Sequence, residues 1–208
     1  MAALKIVFAT RNEGKVREIT QMLTSTGMEL VSLNHFPSLP EIVEDGKTYL
    51  ENALKKARII SQATGEIVLA DDSGLEVAAL GGEPGIHSAR YAGEGASDEE
   101  NNALLLSRLK GVPPSERNAS FRCALVLFGT EGRYQTFEGR WDGLIIDEAR
   151  GTNGFGYDPI FLWPEMNMTA AELPSEVKNT VSHRGRAFAE LKNYLLTEKN
   201  KPGRSAVR

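Results

Sequence analysis

Two adjacent carboxylates, Asp71 and Asp72, directly follow the apolar run 67–70 and precede Ser73 and Gly74. Neighbouring charges at the end of a strand are costly unless they are paired or hold a cation. Hard carboxylate oxygens suit Mg²⁺, which takes one or two of them and fills its other positions with water and phosphate. A strand-ending turn closed by an Asp side chain accounts for the same residues. Side chains alternate along a strand, so only one of the two faces a given site.

Other segments offer complementary chemistry. Thr10-Arg11-Asn12-Glu13-Gly14-Lys15 sits between an apolar run and a helical pattern. Backbone N–H groups there attract phosphate, Gly14 permits close approach and Lys15 adds a point charge. The Walker A spacing is absent, and a plain capped turn is the competing explanation. Gly154-Phe155-Gly156-Tyr157-Asp158-Pro159 places an aromatic ring on a tight backbone, as base stacking needs, or else turns the chain into a strand. Lys178 and Ser182-His183-Arg184-Gly185-Arg186 gather cations near the start of a final helix. Such cations oppose the helix dipole, so either an anionic or carbonyl-bearing ligand sits there or they form a solvated basic surface. Glu41, Glu44 and Asp45 are acidic neighbours that either add a carboxylate to a metal site or stay solvated. The Gly-rich stretch 81–91 holds His87 without surrounding His or Cys ligands.

The elements that must position these groups follow from periodicity. An apolar run over 4–9 reads as a strand, and Val16, Ile19, Met22 and Leu23 recur at helical spacing up to Gly27. A second strand spans 28–33, and 34–46 is a loop with Pro37, Pro40 and Gly46. Thr48 and Glu51 stand at capping-box spacing ahead of a helix over 48–63, and Ser97 and Glu100 repeat that spacing ahead of one ending near Leu109. Strands follow at 67–70, 119–128, 133–138, 144–146 and 159–163, the second and third paired around 129–132. Ala187, Phe188, Leu191, Tyr194 and Leu195 form a last helix. Strand–helix–strand alternation with a hairpin predicts a mixed α/β fold.

Composition narrows the function classes. With 208 residues, 41% hydrophobic and 25% charged, the chain is ordinary globular material in one domain. A net charge of -4 argues against binding nucleic acid or anionic membrane through bulk charge. The single cysteine, Cys123, permits no intramolecular disulfide and reads as a buried strand thiol. No apolar stretch is long enough to span a bilayer, and the N-terminus does not read as a secretory leader, so the cytoplasm is expected.

Taken in order, T-x-N-x-x-K at 10–15, L-E-N-A at 50–53, A-D-D-S-G-L at 70–75, G-G-x-P-G-I-x-S-A-R-Y at 81–91, G-F-G-Y-D-P-I-F at 154–161 and S-H-R-G at 182–185 resemble the inosine triphosphate pyrophosphatase family. The resemblance runs from about residue 5 to 196. It implies an elongated α/β fold with a long central mixed β-sheet flanked by helices, in two lobes with an active-site cleft between them. One two-lobed domain is expected over 1–199, with 200–208 a disordered basic tail, and the protein is expected to form a homodimer. The implied activity is hydrolysis of ITP, dITP and XTP to the monophosphate and pyrophosphate with Mg²⁺, which removes them from the nucleotide pool.

Carried over by position, the 10–15 loop holds the triphosphate through Thr10, Asn12 and Lys15, with Arg11, Glu13 and Gly14 beside them. Asp72 acts as base on water and as metal ligand, and Ser73 touches substrate. Phe155, Gly156, Tyr157 and Asp158 line the base and sugar pocket. Lys178, His183 and Arg184 contact the base or its 6-oxo edge. Two departures stand out: Arg11 occupies a position where Gly is common, and the second metal carboxylate is assigned to Glu44 with Glu41 as the alternative. A Maf-like pyrimidine nucleotide pyrophosphatase and a non-catalytic nucleotide sensor are the rival readings. The 154–159 and 182–185 segments oppose the first, and the intact Asp72 and Lys15 oppose the second, since a sensor has less need of a metal-binding carboxylate.

Overall fold

Ile6, Val7 and Phe8 are consecutive apolar residues of the first strand, β1 (Leu4–Phe8); successive side chains point to opposite faces, so both faces of the sheet must be covered. Ile6 and Phe8 join one hydrophobic cluster, while Val7 and Ala9 join another. The computed structural model describes residues 4–23, 28–36 and 38–199. Among these, α1 (Glu13–Leu23) and β2 (Met28–Ser32) follow β1, then α2 (Tyr49–Thr64) and β3 (Val68–Val77). Next come α3 (Asp98–Arg108), β4 (Asn118–Phe128) and β5 (Tyr134–Ile145). The order closes with β6 (Phe161–Trp163), β7 (Met168–Thr169), α4 (Ser175–Val181) and α5 (His183–Lys199).

The seven strands form one sheet in the order β2-β1-β3-β4-β5-β6-β7. β1 pairs in parallel with β2 and β3, whereas β6 pairs antiparallel with β5 and β7, so the sheet is mixed, as expected. The chain divides into two compact units: Met1–Asp72 with Cys123–Glu138 and Gly185–Arg208, and Ser73–Arg122 with Gly139–Arg184.

In the first unit both sheet faces are buried. Leu69, Leu125 and Leu127 pack with Ile19 and Leu23 of α1 and with Ala187, Phe188 and Leu191 of α5. Val68, Ala70 and Val126 pack with Ala53, Ala57 and Ile60 of α2. Thr48 caps α2, its side chain accepting from Glu51 N–H, and Gly65 ends the helix in the left-handed region at φ 71°.

The second unit buries one face. Leu75, Val77, Ala119, Phe121, Trp141 and Ile145 pack with Leu105 and Leu109 of α3. The alternate residues are polar and pair among themselves: Arg122 with Glu76 at 3.7 Å, and Ser120 and Arg140 with Asp142 at 2.5 and 2.6 Å. α3 begins with the complete capping box expected from Ser97 and Glu100.

Several boundaries differ from the expectations. The strand expected at 67–70 continues as β3 to Val77, so Asp71, Asp72, Ser73 and Gly74 lie inside a ten-residue strand, not at its end. Lys15 compensates Asp71, Lys56 and Asn52 compensate Asp72, and the strand continues through both. β5 is twelve residues long and takes in most of the separate strand expected at 144–146. Residues Asp158–Ile160 form a 3₁₀ turn that precedes β6. Neither β7 nor α4 was expected. Gly27 and the tail 200–208 lie outside the described residues. No helix among the described residues is long and apolar enough to cross a membrane.

Candidate active site

In the first unit, the 10–15 segment is a capped turn. Thr10 Oγ1 accepts from Asn12 N–H at 3.1 Å, and Asn12 Oδ1 accepts from Lys15 N–H at 3.1 Å. Thr10 and Asn12 thus shape the N-terminus of α1, and Gly14 is buried in its first turn. Glu13 is exposed and lies 3.9 Å from Arg17. Arg11 is exposed and lines a pocket of about 430 Å³ with Thr10, Glu41, Glu44 and Lys56.

The alternation expected of the two carboxylates is present. Asp71 is fully buried; it pairs with Lys15 Nζ and accepts from the Cys123 thiol at 3.2 Å. Cys123 is indeed a buried strand thiol. Asp72 turns to α2, where Asn52 Nδ2 donates to its Oδ2 at 3.1 Å and Lys56 Nζ lies 3.7 Å from its Oδ1. The same ammonium lies 2.9 Å from Glu44 Oε1. Lys56 therefore stands between the two carboxylates assigned to the metal.

Burial is the largest influence on the Asp72 carboxyl and pushes its pKa above the ordinary value of 3.8. The ammoniums of Lys56 and Lys15 pull it back, and Glu44 and Asp71 add upward pushes. The result is a carboxylate more basic than usual, separated from Glu44 by the Lys56 ammonium. Two hard oxygens bridged by one ammonium fit a divalent cation that completes its shell with water and phosphate. Among the described residues, no group of three or more His, Cys, Asp or Glu side chains forms a self-sufficient metal cage.

In the second unit, Ser73 Oγ accepts from Arg184 Nη2 at 2.8 Å. Lys178, His183 and Arg184 are all buried, so the solvated basic surface is not what forms. His183 stacks on Phe121 with centroids 4.8 Å apart. Lys178 Nζ and Arg184 Cζ lie 5.2 and 5.6 Å from the centroid of Phe155. Asp158 Oδ2 ties this group together, accepting from Phe155 N–H at 2.9 Å and from Lys178 Nζ at 2.5 Å.

The Gly154 backbone (φ 77°) passes so close to that oxygen that a Cβ would come within 2.1 Å of it. α3 holds Gly156: Asp98 accepts from its N–H at 2.6 Å, and Asn102 donates to its carbonyl at 3.1 Å. Tyr157 is an anchor rather than an open wall. Its buried hydroxyl donates to Ser88 O at 2.9 Å, and burial raises its pKa further above the ordinary 10.0. Ser88 Oγ in turn accepts from Leu75 N–H at 2.8 Å, so the 81–91 loop ties β3 to the aromatic turn.

Sequence reasoning missed Asn52, Lys56, Asp98 and Asn102. For the first two a signal was present. They share the helical stripe of Ala53, Ala57 and Ile60, and polar residues on an apolar stripe are buried for a reason. For Asp98 and Asn102 there was none, because their partner is more than fifty residues away.

These features define a mixed α/β protein with a carboxylate–ammonium cluster in one unit and a cation–aromatic cluster in the other. Residues 6–194 match the Ham1 family, and the chain belongs to it. It is 56% identical over 191 residues to the dITP/XTP pyrophosphatase of Geobacter sulfurreducens, covering 92% of this chain and 96% of that protein. The dITP/XTP pyrophosphatase of Desulforamulus reducens is 50% identical over 192 residues, again covering 92% and 96%. The structure of a HAM1 protein from Coxiella burnetii superposes with a TM-score of 0.84 at 42% identity, covering 93% of this chain and 99% of that one.

Proposed function

We propose that this protein hydrolyses ITP, dITP and XTP to the nucleoside monophosphate and pyrophosphate. The observation that carries the reading is the buried Asp72, more basic than an ordinary carboxylate and held among Lys56, Asn52 and Glu44. The names of relatives at 50% identity and above support the substrate class.

In the proposed reaction a water oxygen attacks the α-phosphorus. The bond from that phosphorus to the bridging oxygen breaks, and pyrophosphate departs with the electron pair. Asp72 accepts the proton released by the water, for which a raised pKa is an advantage. Lys15 offsets charge on the phosphates while Asp71 holds its ammonium in place. Glu44 and Asp72 would hold Mg²⁺, which offsets charge on the triphosphate when bound.

Base choice falls to the second cluster. Phe155 offers a ring for stacking, and Lys178, His183 and Arg184 offer donors to a 6-oxo group. Adenine presents an amino donor at that position and leaves such donors unpaired, at about 1–3 kcal/mol each. We further infer a homodimer from the resemblance, and a cytoplasmic protein without nucleic-acid or membrane partners from its single cysteine, its charge and its apolar pattern.

The test is incubation with Mg²⁺ and, separately, ITP, dITP, XTP, GTP, ATP, UTP and dTTP. Monophosphate and pyrophosphate from the first three, well above the rest, are expected. Preference for UTP or dTTP points to the pyrimidine alternative and overturns the reading. No turnover of any nucleotide overturns catalysis.

A further inference from the structure

The segment ahead of α2 is gripped residue by residue. Glu44 meets Lys56 at 2.9 Å, and Asp45 meets Lys55 at 2.5 Å. Gly46 N–H donates to Asn52 Oδ1 at 2.8 Å, and Lys47 N–H donates to Glu51 Oε2 at 2.6 Å. Four consecutive loop residues thus lie against the first two turns of one helix. The contacts of Asp45 and Lys47 involve exposed groups and contribute little on their own. The contact to Asn52 differs, because Asn52 is fully buried and its amide has a second use. Its Nδ2 donates to Asp72 Oδ2 at 3.1 Å.

A carboxamide has one accepting and one donating end, and both are employed here. The accepting end takes the loop N–H two residues after Glu44, and the donating end takes the carboxylate of Asp72. Leu keeps the shape and loses both bonds. An independent observation points the same way. A Cβ on Gly46 would meet Asn52 Oδ1 at 2.6 Å and Glu51 Cβ at 2.9 Å. Gly46 is not among the glycines in the left-handed region, so close approach to Asn52, rather than backbone conformation, requires it.

We propose that Asn52 is a positioning residue that fixes the separation of the Glu44 and Asp72 carboxylates, and so matches the pair to a cation of Mg²⁺ size. This rests on the reading of those two carboxylates as the cation ligands. Mg²⁺ demands near-octahedral geometry at short distances, whereas Ca²⁺ tolerates longer and more variable ones. A fixed spacing therefore favours Mg²⁺, and a loosened one penalises Mg²⁺ more than Ca²⁺.

The experiment titrates the full-length protein with Mn²⁺ by electron paramagnetic resonance, then displaces Mn²⁺ with Mg²⁺ and with Ca²⁺. Residues that orient metal ligands typically contribute about 10–100-fold to affinity, so Asn52→Leu is expected to weaken Mg²⁺ by that range and Ca²⁺ by less. Gly46→Ala, which keeps the Asn52 amide but crowds its oxygen, is expected to shift both affinities in the same directions. A folded Asn52→Leu with the wild-type Mg²⁺ to Ca²⁺ ratio overturns the proposal. If Asn52→Leu does not fold, Gly46→Ala decides alone, and an unchanged ratio overturns it. Mn²⁺ binding that survives the double change Glu44→Gln with Asp72→Asn fails the cation reading itself, a separate result from an unchanged ratio.

Discussion

Replacing Lys56 by Met tests the electrostatic core of the account. The Lys56 side chain is 8% exposed and lies between Asp72, equally buried, and Glu44, at 32% exposure. Met keeps the stem and removes the ammonium, leaving two carboxylates facing one gap. Removing one partner of a buried pair costs about 3–5 kcal/mol. Glu44 can take up water, which brings the cost below that range, to roughly 2–3 kcal/mol. For a chain of this size each kcal/mol moves Tm by about 2–4 °C, which gives a fall of roughly 4–12 °C without divalent cation. If Glu44 and Asp72 are cation ligands, millimolar Mg²⁺ takes the place of the missing positive charge and recovers much of the loss. The assay is a thermal melt of wild type and Lys56→Met, each with EDTA and with Mg²⁺. A variant that melts with wild type in EDTA refutes the reasoning about the buried pair. A loss that Mg²⁺ leaves unchanged refutes the placing of the cation.

Three further changes probe separate parts of the site. Asp72→Asn should abolish nearly all turnover yet raise Tm at neutral pH in EDTA. The raised pKa means that folding disfavours the charged form, a cost that sets in above the ordinary carboxylate pKa and persists at neutral pH; the gain should therefore vanish as pH falls below that value, and a lower Tm at neutral pH contradicts it. Cys123→Val removes the thiol donated to Asp71 and should cost about 1–2 kcal/mol and raise KM through Lys15, while Cys123→Ser keeps a donor and should raise KM less; equal KM values for Val, Ser and wild type argue against this role. Gly154→Ala forces Asp158 to move and should raise KM for dITP well above its effect on kcat, as steady-state kinetics will read; an unaltered KM contradicts the bracing of Phe155 by Asp158.

The chemistry of this site was more legible in the sequence than its scaffolding. Asp72, Lys15 and the Lys178 to Arg184 group stand in short segments whose residue types suggest ligands, and each is placed in a buried polar cluster. Thr10 and Asn12 were legible both as phosphate groups and as helix caps, and capping is the local use that the structure displays. The extent of β3 was not legible, because paired aspartates and a glycine carry turn signals, and the compensating Lys15, Lys56 and Asn52 lie far off in the chain. β7 is two residues long, too short to express a period. Asn52 escaped notice as a device because its two partners, Gly46 and Asp72, become neighbours only after α2 packs on β3.

Attack of water on the α-phosphorus is read directly by isotope transfer. dITP is hydrolysed with Mg²⁺ in ¹⁸O-enriched water, and the products are resolved by ³¹P NMR. The monophosphate is expected to carry ¹⁸O and the pyrophosphate none. Label in pyrophosphate, or release of orthophosphate as the first product, contradicts it.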